Sequence, residues 1–199
     1  YLVARFGPKH IIALSTVFFF FWLVLVLTLV ELDWPLWLIN LFWSGSISMY
    51  FVAFNTDFSK IKHKDHGGKE LGFVMIFEKI GGVLGPLIGG ILATFFDARY
   101  SISLAIIILL ASLIPFFLTA EPVKQNQKLI FKGLNWRKQK DNLLAMSAFS
   151  VENAASLIIW PLLIGVVVFK SSTYAIIGLL VSLGMVFTLT FTFLIGRMI

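Results

Sequence analysis

Long uncharged runs alternate with short charged interruptions along this chain. Six runs contain no Asp, Glu, Lys or Arg: 11–30, 34–56, 80–96, 100–120, 153–169 and 171–196. A helix needs about 20 mostly apolar residues to cross a hydrocarbon core about 30 Å thick. Four runs reach that length. The two shorter ones extend backward, with 71–77 preceding Glu78 and Lys79 and 142–151 preceding Glu152. The pattern predicts an all-α polytopic membrane protein of six transmembrane helices, at about 11–30, 35–56, 71–96, 101–119, 142–169 and 172–195. Nothing alternates apolar and polar residues over the length of a membrane-barrel strand.

Composition narrows the classes. Hydrophobic residues make up 59% of the chain and charged residues 13%, against about 45–50% and 25% in soluble domains. Polar surface is too scarce to cover a water-facing globule. The absence of cysteine excludes a disulfide scaffold and cysteine-ligated zinc, and the apolar content excludes disorder.

The formal charge of +6 raises the question of nucleic acid, and its placement answers it. Six crossings put both termini on one side of the membrane. On that side lie Arg5, Lys9, Lys60, Lys62, Lys64, Lys69, Lys124, Lys128, Lys132, Arg137, Lys138, Lys140 and Arg197, which is 13 of the 16 basic residues. The opposite loops hold Arg99 and Lys170, with Glu31, Asp33 and Asp97. Basic residues concentrate on the cytoplasmic side, so both termini are expected in the cytoplasm. The charge follows topology and forms no nucleic-acid groove.

The chain begins with Tyr1 inside a basic loop, without a signal-peptide pattern, and stops just after Gly196 and Arg197. A piece of a longer protein is expected, with a complete six-helix protein as the alternative. The longest loop, 121–141, carries Lys124, Lys128 and Lys132 at helical spacing beside Leu129, Ile130, Phe131, Leu134 and Trp136. It reads either as a helix lying on the inner membrane face or as a solvated linker.

The third predicted helix is the most informative. Gly81, Gly85 and Gly89 recur every four residues and drift only about 40° per step around the helix. They form one stripe of small residues that a neighbouring helix can approach closely. Gly82, Pro86 and Gly90 form a second stripe beside it. Pro86 removes an N–H and presses on the preceding turn, which bends the helix. The arrangement suits a moving interface, and equally a static one.

With Gly72 in front, the spacing Gly72-x8-Gly81-x3-Gly85-Pro86-x2-Gly89-Gly90 resembles the antiporter motif of the major facilitator superfamily, found on the fifth helix of its proton-coupled drug exporters. The opening residues are similar to the end of that superfamily's cytoplasmic loop motif between its second and third helices. Leu2, Arg5, Gly7 and Lys9 match it, while Ala4 and Pro8 stand at its acidic and second basic positions. The family's fourth-helix arginine has no counterpart in 34–56, where Asn40 and the run Ser44-Gly45-Ser46-Ile47-Ser48 stand. The resemblance implies a partial major facilitator fold covering about helices three to eight of twelve. Residues 1–119 would close the N-terminal half with four helices, 120–141 would be the basic cytoplasmic linker, and 142–199 would open the C-terminal half with two.

Ionisable residues at membrane depth are candidates for function. Glu78 stands seven residues before Gly85, on the same helix face. Its alternatives are proton handling or a boundary glutamate beside a snorkelling Lys79. Glu152 lies deeper, among Ser147, Ser150, Asn153 and Ser156, with Pro161 further along the same helix. A lone carboxylate in hydrocarbon is costly unless protonated or hydrogen-bonded, which suits either a proton carrier or a helix–helix hydrogen bond.

No enzyme, cofactor or metal site is expected. His63 and His66 flank Asp65 in a basic loop, but two histidines do not complete a site. A phosphate-binding Gly-x4-Gly-Lys loop is missing from the sequence. The leading reading is a secondary active transporter in the cell membrane, exporting small organic or amphipathic molecules in exchange for protons by alternating access. Its partners are then the lipid bilayer, a small-molecule substrate and protons. Trp43, Trp160 and Asn40 are candidate lining residues. The alternatives are a membrane scaffold that uses its glycines for packing, and a proton-coupled uptake symporter.

Overall fold

In the computed structural model, which describes residues 1–63, 66–118, 136–163 and 173–198, all regular structure is helical and no strand occurs among the described residues. A short helix not foreseen in the sequence, α1 (Leu2–Phe6), ends at Gly7, whose φ of 89° glycine adopts without steric cost. Helix α2 (Pro8–Leu27) starts at once. Pro8 sits at its first position, where a missing N–H costs nothing. Pro8, Ile11, Ile12 and Ser15 are buried and recur at the spacing of one helical face.

The first crossing is broken at Thr28, whose hydroxyl donates to the Val24 carbonyl at 2.9 Å and accepts from the Trp34 indole N–H at 2.9 Å. This pair ties the short helix α3 (Leu29–Leu32) into a tight reversal. Asp33 then adopts φ 48°, a left-handed conformation that short polar side chains tolerate. Helix α4 (Leu36–Ile61) follows Pro35 and returns antiparallel to α2. Its buried residues Ile39, Ser46 and Ala53 stand seven apart, two turns each, and make one seam. Ser46 and Ala53 are small, so α2 comes close. Ile11, Ile12 and Ala53 form the core there, flanked by Val3 and Met49. Further along, Phe18 and Phe21 meet Phe42, while Phe19 and Trp22 meet Trp43, with ring centroids 4.5–5.8 Å apart. Phe18 lies over Gly45, where a Cβ would stand 3.0 Å from the ring.

Helix α5 (Gly67–Phe95) carries Pro86 inside it. The next predicted crossing is divided into α6 (Ala98–Ser112) and α7 (Ile114–Leu118). Pro115 explains the division, since it cannot donate to the Ala111 carbonyl and disfavours helical geometry at Ile114. Helix α8 (Trp136–Leu163) begins before the predicted 142, and α9 (Thr173–Met198) closes the fold. Residues 119–135, which include most of the predicted linker, and 164–172, which include the predicted end of the fifth helix, lie outside the described residues, as does Asp65.

Among the described residues, four helices are long and apolar enough to span a bilayer: Pro8–Leu27, Leu36–Ile61, Glu70–Phe95 and Tyr174–Phe191; Ala98–Ser112 is apolar and shorter. Helix α8 mixes Asn142, Ser147, Ser150, Glu152, Asn153 and Ser156 into its apolar sequence. Large apolar side chains such as Trp37, Phe51, Phe73, Ile107 and Phe187 are more than half exposed on these helices. Water would not tolerate so continuous an apolar surface, whereas lipid does. The molecule is an all-α polytopic membrane protein.

The residues form two compact units, Tyr1–Phe77 with Arg99–Leu129, and Glu78–Ala98 with Ile130–Ile199. In the first, the Arg99 guanidinium meets the Glu31 carboxylate at 2.8 Å, with both side chains about half exposed. Two loops expected on the outer side therefore sit at one end of that unit. The pair itself contributes little stability. If the charge asymmetry sets the orientation, a cysteine at Asp97 reacts with an impermeant reagent outside intact cells, and one at Ser59 is protected. Labelling of Ser59 from outside would invert the topology.

Candidate transport site and the packing of α5 on α9

The second unit is built on the pairing of α5 with α9. Gly90 and Gly178 face each other. A Cβ at Gly90 would stand 2.5 Å from the Tyr174 carbonyl oxygen and 3.2 Å from the Gly178 Cα, and a Cβ at Gly178 would collide with the Pro86 carbonyl. Met185 packs over Gly82. The close approach thus falls on the stripe Gly82, Pro86 and Gly90. Gly72, Gly81, Gly85 and Gly89 lie on faces where a Cβ would meet nothing within 4 Å among the described residues. Of the two stripes read in the sequence, this contact falls on the second.

Two hydrogen bonds between the helices bracket this contact. The Ser182 hydroxyl donates to the Val83 carbonyl at 2.6 Å, within the turn that Pro86 disturbs. Membrane helices tolerate proline where a neighbouring hydroxyl satisfies loosened backbone groups in this way. The Ala175 N–H donates to Thr94 Oγ1 at 2.9 Å, and the Thr94 hydroxyl donates to the Gly90 carbonyl at 2.8 Å. Ala175 lies in the first turn of α9, where N–H groups have no partner within their own helix. Thr94 caps α9 from α5. Thr94, Gly178 and Ser182 were not singled out by the sequence. Their signal is faint, because one glycine or hydroxyl in an apolar run is common in membrane helices.

The first unit contains a cleft of about 390 Å³ between α2, α4 and α6. Hydroxyls line it, from Ser15, Thr16, Ser46, Tyr50 and Ser112. Ile12, Phe19, Ile47 and Leu109 supply its apolar surface. Of the small polar run read in α4, Ser46 and Ile47 reach the cleft. Trp43 instead packs on Trp22, at 4.5 Å between centroids, and Asn40 is exposed. The side chain of Trp160 lies outside the described residues.

The other predicted positions stand apart. Glu78 on α5 and Glu152 on α8 are both exposed on their helices. Gly7 is buried at the α1–α2 turn, Lys9 is half-buried, and the Arg5 guanidinium donates to the Tyr1 hydroxyl at 3.3 Å while lying 5.4 Å from the Phe6 ring centroid. The His63 and His66 rings stack 5.2 Å apart, and the His63 backbone N–H donates to Glu70 Oε2 at 3.1 Å. No group of three or more metal-ligating side chains occurs among the described residues.

The helical membrane architecture, with a glycine–proline helix packed closely on its neighbour, defines a polytopic membrane protein. The model of the Major Facilitator Superfamily matches residues 1–199, and the chain belongs to that family. It is therefore a membrane transporter, embedded in lipid and acting on a small-molecule substrate. No curated protein and no solved structure matches the chain.

Proposed function

We propose that this transporter exports small organic or amphipathic molecules across the cell membrane in exchange for protons. The observation that carries the reading is the glycine–proline pattern from Gly72 to Gly90 on α5. Its second stripe seats α9 at backbone contact, as an interface that must slide or rock requires. Alternating access then moves packed helices as bodies about a site near the middle of the membrane. Glu152 and Glu78 are the candidates for carrying the proton. They are carboxylates within predicted spans, where an ionised group is costly and protonation relieves the cost. Arg5, Gly7 and Lys9 form the cytoplasmic turn leading into α2, and the linker at 120–141 joins the two halves.

Expression in cells tests this directly. Cells producing the whole protein should retain several-fold less of a fluorescent uncharged amphiphile than control cells, and a protonophore should restore retention to the control level. A difference that persists with the proton gradient dissipated contradicts proton exchange. Greater retention in producing cells contradicts export.

A further inference from the structure

The cleft between α2, α4 and α6 carries a more specific reading, one that rests on the transporter function proposed above. Three of its five hydroxyls spend their protons on their own helices. The Ser15 hydroxyl donates to the Ile12 carbonyl at 2.7 Å, the Thr16 hydroxyl donates to the same carbonyl at 3.0 Å, and the Ser112 hydroxyl donates to the Leu109 carbonyl at 2.7 Å. A hydroxyl has one proton and two acceptor lone pairs. With the protons committed, the Thr16 and Ser112 side chains, which are open to the cleft, offer it acceptor lone pairs, while Ser15 is buried beside them. Among the described residues, no Asp, Glu, Lys, Arg or His lines it, so an ionised head group would enter without a counter-charge, at a large cost in an apolar setting. The remaining surface is aliphatic and aromatic, and about 390 Å³ is at the small end of ligand cavities.

We infer that this cleft is a substrate subsite for uncharged amphiphiles whose polar end donates hydrogen bonds, such as primary amides or alcohols on an apolar body. The Thr16 and Ser112 oxygens take the donor, and Ile12, Phe19 and Leu109 cover the apolar body. An amide without N–H groups leaves those oxygens without their new partners and binds more weakly.

The test compares decanamide with N,N-dimethyldecanamide, which shares the chain and carbonyl but has no donor. Direct binding of each radiolabelled compound to the whole protein in lipid nanodiscs, corrected for empty discs, gives two affinities and their ratio. The wild type is expected to favour decanamide about tenfold, the scale of one well-placed hydrogen bond. In Thr16→Val with Ser112→Ala the ratio should fall to near one. Ser59→Ala, on the exposed inner end of α4, should keep the wild-type ratio. Equal binding of the two amides by the wild type, as expected of a groove filled by any lipid chain or apolar helix, overturns the inference. So does a ratio unchanged in the double variant. Binding needs no gradient, so this result is separable from the coupling claim. Donor preference without proton-driven export removes the export reading and leaves the cleft, whereas export without donor preference removes the cleft alone.

Discussion

Replacing Gly90 with alanine should abolish most transport, by tenfold or more, and lower the melting temperature of the purified protein. The added methyl would stand 2.5 Å from the Tyr174 carbonyl oxygen. That atom belongs to backbone and cannot swing aside as a long side chain can. Relief requires α9 to move, which also strains the Ala175–Thr94 and Ser182–Val83 hydrogen bonds. Overpacking of this kind costs about 1–3 kcal/mol. Gly178→Ala should behave alike, since its methyl is directed at the Pro86 carbonyl. Gly85→Ala places its methyl where nothing lies within 4 Å among the described residues, so it should melt like the wild type. Wild-type transport and melting in both Gly90→Ala and Gly178→Ala would show that the contact has no bearing on the cycle.

Glu152→Gln should lose gradient-driven transport by at least tenfold while binding of substrate persists. Glutamine keeps the size and polarity of the side chain but cannot exchange a proton. A residue that only bridges helices should tolerate the change better, because an amide still donates and accepts hydrogen bonds. Flux under an imposed pH gradient, measured beside equilibrium binding, separates the two roles. Glu78→Gln is the companion variant. It should be the milder, because Glu78 stands nearer the charged end of its predicted span than Glu152 does. If both variants pump as the wild type does, neither carboxylate carries the coupling proton.

The membrane class was legible because its cause is simple. Uncharged runs of bilayer length have few other uses, and the runs at 11–30, 34–56, 80–96 and 171–196 correspond to the four spanning helices found among the described residues. Helix ends were less legible. Thr28 and Pro115 break the first and fourth predicted crossings through local hydrogen bonding and a missing N–H, which hydropathy does not register. The glycine pattern on α5 showed that a close contact was to be expected there but not which stripe makes it. Gly81–Gly85–Gly89 and Gly82–Pro86–Gly90 are adjacent on the helix, and the choice depends on where α9 brings Gly178. That is tertiary information. The cleft was half visible, in Ser46 and Ile47. Apart from Tyr50 on α4, its other hydroxyls come from α2 and α6, which no local spacing connects to α4.

Inside-out membrane vesicles containing the whole protein, with a pH gradient imposed acid inside, test proton-driven export most directly. A fluorescent amphiphilic substrate should accumulate in the lumen as protons leave it, and accumulation should collapse in Glu152→Gln and when the gradient is abolished. Accumulation indifferent to the gradient, or depletion of the lumen when it is acidic, would contradict proton-coupled export.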